Sequence, residues 1–185
     1  MDQHLRCERC LLQRWLCLCA AIPTIATRTR IVIVRHHTER WRSSNSGRLA
    51  HLALPNSELV EHGGTSGPAV LALADAWLLF PEGTPVERVE RPPSQLVVLD
   101  ATWSQARRMF RKLSALRGLP ILRLPETAMP VARMRESPGE GRVSTIEAIA
   151  RALRLFEGDA VATPLEALFA LAVERAAASG RHVGP

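Results

Sequence analysis

The segment 94–103 is the feature that most limits what this 185-residue chain can fold into. Four consecutive apolar residues, 96–99, end in Asp100, and Thr102 then begins a strongly amphipathic helical pattern. An acid at the carboxyl end of a buried strand, beside a helix N-terminus, lies where open α/β sheets place ligands and chemistry. The segment therefore predicts an α/β fold and, at Asp100, a functional site.

The rest of the chain supports a mostly parallel sheet. Strand patterns alternate with helical patterns, and residues 55–94 between them are rich in Gly and Pro around an apolar stretch at 69–80. Such alternation is typical of a parallel sheet covered by helices. The predicted strands are 30–34, 95–99 and 120–124, and the predicted helices are 47–54, 103–115, 144–156 and 164–178.

Capping residues mark three of the predicted helix starts. Thr102 with Gln105, and Ser144 with Glu147, match capping boxes, which satisfy free backbone donors at a helix start. Pro164 is predicted at the first position of the last helix, where its missing N–H costs nothing. These structural roles account for the residues without any ligand.

All four cysteines lie within the first 22 residues, as Cys7-x2-Cys10-x6-Cys17-x-Cys19. Four thiolates at short spacing match a closed, structural Zn²⁺ site with no position left for catalysis. An iron–sulfur cluster is the main competitor, and disulfides or unpaired core cysteines are the remaining readings. We therefore predict a zinc-binding knuckle at 1–22, followed by the α/β domain at 23–185.

The net charge of +6 comes from the N-terminal quarter. Residues 1–48 hold nine Arg and three acids, whereas the other 137 residues hold fifteen basic and fifteen acidic side chains. A basic region of this kind suits a polyanion such as nucleic acid, although an ordinary solvated surface is equally consistent with charge alone. The predicted 103–115 helix adds a basic face with Arg107, Arg108, Arg111 and Lys112.

Several functional classes lose support. No apolar stretch reaches the length of a membrane span, and the first residues show no secretory signal. No dinucleotide fingerprint, P-loop, nucleophile elbow or zinc-protease motif occurs. We expect a cytoplasmic protein with no membrane partner.

Taken in order, the motifs resemble the DTW-domain family of tRNA-uridine aminocarboxypropyltransferases. The resemblance covers nearly the whole chain. It is carried by the cysteine cluster, residues 44–49 (Ser-Asn-Ser-Gly-Arg-Leu), the Phe80-Pro81 turn, residues 99–109 (Leu-Asp-Ala-Thr-Trp-Ser-Gln-Ala-Arg-Arg-Met) and residues 144–148 (Ser-Thr-Ile-Glu-Ala). Two positions depart from the family's usual residues: Ala101 often appears there as Gly, and Ser46 as Thr.

The resemblance implies a fold similar to SPOUT methyltransferases, with a C-terminal knot. It also implies transfer of the 3-amino-3-carboxypropyl group of S-adenosylmethionine to N3 of a tRNA uridine, with methylthioadenosine released. Asp100 is the candidate catalytic carboxylate, because attack by the uridine imide requires removal of its N3 proton. Partners would be tRNA and S-adenosylmethionine, with zinc as structural metal, in a monomer or homodimer.

The same resemblance assigns binding residues. Those expected to line the adenosine and methionine pocket are Phe80, Pro81, Leu99, Thr102, Trp103, Leu124, Arg142, Ser144, Thr145 and Glu147. Those expected to hold substrate are Asn45, Arg48, Arg107, Arg108 and Arg111. Either Arg48 or Arg142 could pair with the methionine carboxylate.

Three alternatives remain open at this point. A SPOUT-type RNA methyltransferase would share the fold, the co-substrate and the charge. A non-enzymatic zinc-knuckle RNA-binding module would need the cysteines and the basic surface but not Asp100. An aminocarboxypropyltransferase that acts on rRNA would share all of the chemistry.

Overall fold

The structure, a computed structural model, describes residues 6–42, 46–125 and 143–178. Five strands and four α-helices lie within these ranges. The strands are β1 (Arg30–His36), β2 (Ser57–His62), β3 (Ala76–Leu79), β4 (Gln95–Asp100) and β5 (Ile121–Leu122). The helices are α1 (Ser46–Ala53), α2 (Trp103–Lys112), α3 (Thr145–Glu157) and α4 (Asp159–Ala178).

The five strands form one parallel sheet in the order β2-β1-β4-β3-β5. β1 and β4 are the central pair, and their buried residues are almost all Val, Ile and Leu, as expected for strands covered on both faces. Because all strands run the same way, their carboxyl ends meet at one edge of the sheet. Asp100 is the last residue of β4 and lies at that edge.

Two apolar clusters cover the two faces of the sheet. On one face, Ile31 and Ile33 of β1 pack with residues of α1, α3 and α4. On the other, Val32 and Val34 pack with residues of α2. The alternation follows from the two-residue period of a strand, and it places Arg35 and Asp100 on the face that α1, α3 and α4 cover.

The cysteine-rich N-terminal segment contributes to the larger of these clusters. Cys10, Leu12, Leu16 and Leu18 are buried in the same apolar cluster as α1 and α3. Arg175 of α4 also donates a hydrogen bond to the carbonyl of Cys17. The proposed domain boundary at residue 22 stays a prediction, and the knuckle packs directly on the helical face.

The parallel α/β fold, the central strands and the helices at α1, α2 and α3 are confirmed. The start of the last helix is corrected: α4 begins at Asp159, so Pro164 lies inside it and not at its first position. Gly158, at φ +90°, allows an abrupt turn after α3, and the N–H of Ala162 then closes the first turn on the Gly158 carbonyl at 3.3 Å. The helix therefore starts before Pro164 is reached.

Two strands also differ from prediction. β2 was not predicted, because its sequence Ser-Glu-Leu-Val-Glu-His carries two acids, which an edge strand with half-exposed residues tolerates. β5 is shorter than the predicted 120–124: Pro120 has no N–H to donate to the sheet, and Arg123 forms a bridge with Pro85 instead of pairing with β3. Only Ala76–Leu79 of the apolar stretch at 69–80 forms a strand.

The predicted C-terminal knot stays a prediction. The chain between β5 and α3 includes residues 126–142, which lie outside the described ranges. Across the residues that are described, no helix combines the length and the apolar character that a bilayer crossing needs.

Candidate active site and metal centre

Asp100 is a buried carboxylate held by a second element of the fold. Its side chain is only 6% exposed, and its Oδ1 accepts a hydrogen bond of 2.7 Å from the Thr145 hydroxyl. Thr145 is the first residue of α3, whose N-terminus is closed by the predicted capping box: Glu147 accepts from the Ser144 N–H at 2.9 Å, and Ser144 Oγ accepts from the Glu147 N–H. The capping box therefore fixes the position of the Thr145 hydroxyl, and this hydroxyl in turn holds the Asp100 carboxylate.

Gly47, in the first turn of α1, packs against the same carboxylate. A β-carbon built on Gly47 would lie 2.4 Å from Asp100 Oδ2 and 2.6 Å from its Cγ. Only a glycine allows α1 to approach so closely. The first turns of α1 and α3 thus both meet Asp100, and the free N–H groups of a helix start favour a negative group.

The start of α2 is tied to the end of β1 next to this carboxylate. Gln105 Oε1 accepts from the Thr102 N–H at 2.9 Å, which confirms this half of the predicted capping box. Gln105 Nε2 in turn donates to the Thr38 hydroxyl at 3.0 Å, and that hydroxyl lies 2.8 Å from His36 Nδ1. Burial lowers the pKa of His36, with His37 and His62 adding repulsion, so this network holds a neutral imidazole.

Most residues expected at the co-substrate pocket lie at the same edge of the sheet. They belong to the ends of β3, β4 and β5 and to the starts of α2 and α3. Their half-buried members are Leu99, Thr102, Trp103, Leu124, Ser144, Thr145 and Glu147. Such partly exposed side chains around a buried acid suit a mostly apolar ligand with a few polar groups.

Two of the predicted pocket residues have other surroundings. Phe80 is 5% exposed, and its ring stacks on Phe110 of α2 with centroids 4.6 Å apart. Pro81, the next residue, is exposed. Phe80 thus contributes to the core beneath α2, and the loop after it supplies the exposed surface.

The predicted substrate residues separate into two groups. Arg107, Arg108 and Arg111 are exposed on α2. Arg48, in α1, is half-buried and donates from Nε to the carbonyl of Arg9 at 3.1 Å, so it joins α1 to the cysteine-rich segment. Asn45 and Arg142 were also predicted, and both lie outside the described residues.

The four cysteines form a compact cluster. Their sulfur atoms all lie within 4.8 Å of one another, with Cys7 and Cys19 at 3.5 Å and Cys10 and Cys17 at 3.9 Å. A tetrahedral ion with Zn–S bonds of about 2.3 Å separates its sulfurs by about 3.8 Å. All four cysteines are free thiols, so the cluster is compatible with zinc. A cluster of several irons would divide the thiolates between different metal atoms and separate some of the sulfurs farther.

The electrostatics of the cluster are those of a cation site. Backbone N–H groups of Cys10 and Arg9 lower the pKa of Cys7 to about 6, whereas burial and the neighbouring thiols raise the pKa of Cys19. Burial also raises the pKa of Cys10. One thiolate therefore forms readily, and a bound cation would be needed to hold all four.

Arg35 is the charged residue at this edge that the sequence analysis missed. It directly follows the apolar run 31–34, as Asp100 follows the run 96–99. The same criterion, a charge at the carboxyl end of a buried strand, would have selected it. The structure buries Arg35 to 3% exposure and pairs it in register with Asp100.

Comparison with known proteins agrees with these features. The family model of the DTW domain matches residues 4–177. Among curated proteins, the chain is 29% identical to tRNA-uridine aminocarboxypropyltransferase 2 of Drosophila melanogaster, over 82% of this chain and 66% of that protein. It is 28% identical to tRNA-uridine aminocarboxypropyltransferase A of Arabidopsis thaliana, over 85% of this chain and 76% of that protein.

A mouse protein, tRNA-uridine aminocarboxypropyltransferase 2, is 26% identical over 95% of this chain and 66% of its own length. The chain thus spans about two thirds of the length of the fly and mouse proteins. No solved structure matches the chain significantly.

Proposed function

The chain belongs to the DTW-domain family, and from this we propose that it transfers the 3-amino-3-carboxypropyl group of S-adenosylmethionine to N3 of a tRNA uridine. Methylthioadenosine would be the second product. The relatives' names support the reaction. The observation that carries the proposal is Asp100, a buried carboxylate held by Thr145 at the edge where the family's motifs meet.

Asp100 would act on the proton of uridine N3. The imide N3–H must lose its proton for the nitrogen to form a bond to the γ-carbon, while the bond from that carbon to the sulfonium sulfur breaks. A carboxylate within hydrogen-bond reach can accept this proton. The sulfur leaves as a neutral thioether, so no residue has to protonate it, and the protein's remaining task is to orient the two reactants.

The loops beside Asp100 would bind the co-substrate. Pocket contacts are proposed for Phe80, Pro81, Leu99, Thr102, Trp103, Leu124, Arg142, Ser144, Thr145 and Glu147. The described members of this set lie at or beside the carboxyl ends of neighbouring parallel strands, which supports this, because ligands of open α/β sheets bind there. The SPOUT-like knot, which would bring the C-terminal loops together, is part of the same proposal.

The cysteine cluster would bind one structural zinc ion. Its sulfur separations match a single tetrahedral ion, and all four positions are filled by protein. The cysteine-rich segment would bind tRNA together with a second set of residues, namely Asn45, Arg48 and the exposed Arg107, Arg108 and Arg111 of α2. A partly exposed tryptophan in the knuckle, Trp15 at 48%, is a further surface on which a base could stack.

The test compares two labelled forms of S-adenosylmethionine, one in the methyl group and one in the carboxyl carbon. We expect only the carboxyl label to enter tRNA. Asp100→Asn keeps the shape of the side chain and removes the base, so the rate should fall by about 10²- to 10⁴-fold with tRNA affinity unchanged. Asp75→Asn is the control. Asp75 is an exposed acid just before β3 that accepts hydrogen bonds from the N–H and the hydroxyl of Ser94.

Each alternative gives a different outcome. Methyl label in the tRNA would identify a methyltransferase. Carboxyl label in rRNA alone would show that the substrate is rRNA and not tRNA. tRNA binding without transfer of either label would indicate an RNA-binding module. Full activity in Asp100→Asn would remove Asp100 from the chemistry. Mass spectrometry of tRNA oligonucleotide fragments from a deletion strain would then locate the modified uridine.

A further inference from the structure

Arg35 lies between two carboxylates at the carboxyl edge of the sheet. In the parallel register it is opposite Asp100 on β4 and opposite Glu61 on β2. Residues opposite one another in a sheet project from the same face, which here is the face covered by α1 and α3. The side chain of Arg35 is 4% exposed, so its charge is held away from bulk water.

The guanidinium of Arg35 uses only part of its bonding capacity within the fold. Nη2 donates to Glu61 Oε1 at 2.9 Å. Nε and Nη1 are buried and find no hydrogen-bond partner among residues 6–42, 46–125 and 143–178. Buried donors on a charged group are costly when they are unsatisfied. These two nitrogens are therefore suited to a ligand that accepts hydrogen bonds.

The charge around Arg35 favours an anionic ligand. Glu61 is shared, because Arg40 Nη1 also approaches its second oxygen at 3.3 Å. Arg48 lies near enough that Arg35 and Arg40 add to the effect of burial in lowering the pKa of its guanidinium. Arg35 and Arg40 thus share one carboxylate, Arg48 adds a third positive charge nearby, and a bound anion would reduce the repulsion among them.

We propose that Arg35 binds the carboxylate of the aminocarboxypropyl group and thereby sets which carbon of the co-substrate faces Asp100. The inference rests on the proposed function and deepens it. Nε and a terminal nitrogen of one guanidinium form a planar pair of donors that matches the two oxygens of a carboxylate. Neighbouring strands lie about 4.8 Å apart, so a co-substrate bound at this edge can lie close to both Asp100 and Arg35.

A nucleic-acid phosphate is the less suitable ligand. A phosphodiester continues into the polymer on both sides, whereas Nε and Nη1 of Arg35 are buried away from the surface. The terminal carboxylate of a small molecule can enter such a site end-on. Once it is bound there, the γ-carbon faces the base and the methyl group is turned away, which selects between the two alkyl groups of the sulfonium.

The test measures binding by calorimetry with two probes, S-adenosylhomocysteine and methylthioadenosine. Only the first carries the aminocarboxypropyl group. Arg35→Met removes the donors and keeps an unbranched chain, and we expect it to weaken S-adenosylhomocysteine by about 10- to 100-fold and leave methylthioadenosine unchanged. Arg30→Met is the matched control, because Arg30 lies on the same strand and pairs with Glu58 at 2.8 Å but is 46% exposed. It should affect neither probe.

Arg35→Lys covers the case in which Arg35→Met does not fold. It keeps the positive charge opposite Glu61 and loses the planar pair of donors, so it should also weaken S-adenosylhomocysteine selectively. Equal loss for both probes in a folded variant would overturn the proposal in favour of a structural role. Lost tRNA affinity with normal S-adenosylhomocysteine binding would overturn it in favour of a phosphate contact.

The outcomes separate this inference from the proposed function. If the labelled methyl group enters RNA but Arg35→Met still discriminates between the two probes, the transferase assignment fails and the carboxylate site stands. If the wild-type chain binds S-adenosylhomocysteine no more tightly than methylthioadenosine, the carboxylate site fails, whatever the labelling experiment shows.

Discussion

Gly47→Ala is the substitution that most directly tests whether the position of Asp100 controls the reaction. The added β-carbon would lie 2.4 Å from Asp100 Oδ2. The carboxylate must then move by about 1 Å to reach an ordinary contact of 3.4 Å, unless α1 moves instead. Movement of the carboxylate strains the 2.7 Å hydrogen bond from Thr145 to Oδ1.

The effect on stability should be modest because two contributions oppose each other. Overpacking a buried site costs about 1–3 kcal/mol. Alanine in a helix gains about 0.5–1 kcal/mol over glycine, and Gly47 does not have a positive φ that alanine would strain. The net loss is at most about 2.5 kcal/mol, which lowers Tm by up to about 10 °C in a chain of this size.

The effect on the rate should be much larger. A misplacement of about 1 Å at a reacting group costs on the order of 100-fold. We expect Gly47→Ala to lower the single-turnover rate of carboxyl-label transfer to tRNA by about this factor, measured well below its Tm, while S-adenosylhomocysteine binding is largely retained.

Gly158→Ala separates the rate from stability. Gly158 has φ +90° with no atom near its virtual β-carbon, so alanine there costs about 1–2 kcal/mol of backbone strain far from Asp100. It should lose stability and keep its rate. A Gly47→Ala protein whose rate stays within threefold of wild type would refute the idea that close packing of α1 positions Asp100.

Three further predictions concern the metal, pH and RNA. Cys10→Ser should lower the zinc content, measured by mass spectrometry, from about one ion per chain. It should also lower Tm, measured by calorimetry, by at least about 4 °C, because Cys10 packs in the main core. Burial lowers the pKa of His51. The contribution of the neutral His51 side chain to stability is therefore complete above about pH 6.5 and is lost as the pH falls below that value. His51→Gln should accordingly make the fall of Tm towards about pH 5.5 less steep. Replacing Arg107, Arg108 and Arg111 with Gln should reduce the slope of log tRNA affinity against log salt by up to about 2–3.

Each of these has a clear contrary result. Loss of metal with an unchanged Tm would show that the metal site does not contribute to the stability of the core. For His51, the comparison is the difference between the two pH curves, since zinc-ligand protonation affects both proteins alike; parallel curves would argue against a titrating His51. An unchanged salt slope would show that α2 does not contact the tRNA backbone. Arg117→Gln, which removes one positive charge just beyond α2, is the variant with which the slope is compared.

Local patterns predicted much of this protein. The apolar runs before Arg35 and Asp100 and the stripes of α2 and α3 predicted the parallel sheet and its helices, because side-chain period and burial are properties of short segments. The capping boxes were also predicted, since their partners are three residues apart. β2 and the start of α4 were missed because an edge position and a turn at Gly158 depend on what the segment packs against.

The sequence by itself determined the cysteine cluster, the family motifs and the candidate acid, Asp100, because each is carried by residues close together in the chain. Only the tertiary structure decided what surrounds that acid. Thr145 and Gly47 reach it from two different helices, and Arg35 lies opposite it on another strand. Such contacts are set by strand order and helix packing, which bring together residues 45 to 65 positions apart and which no local spacing specifies.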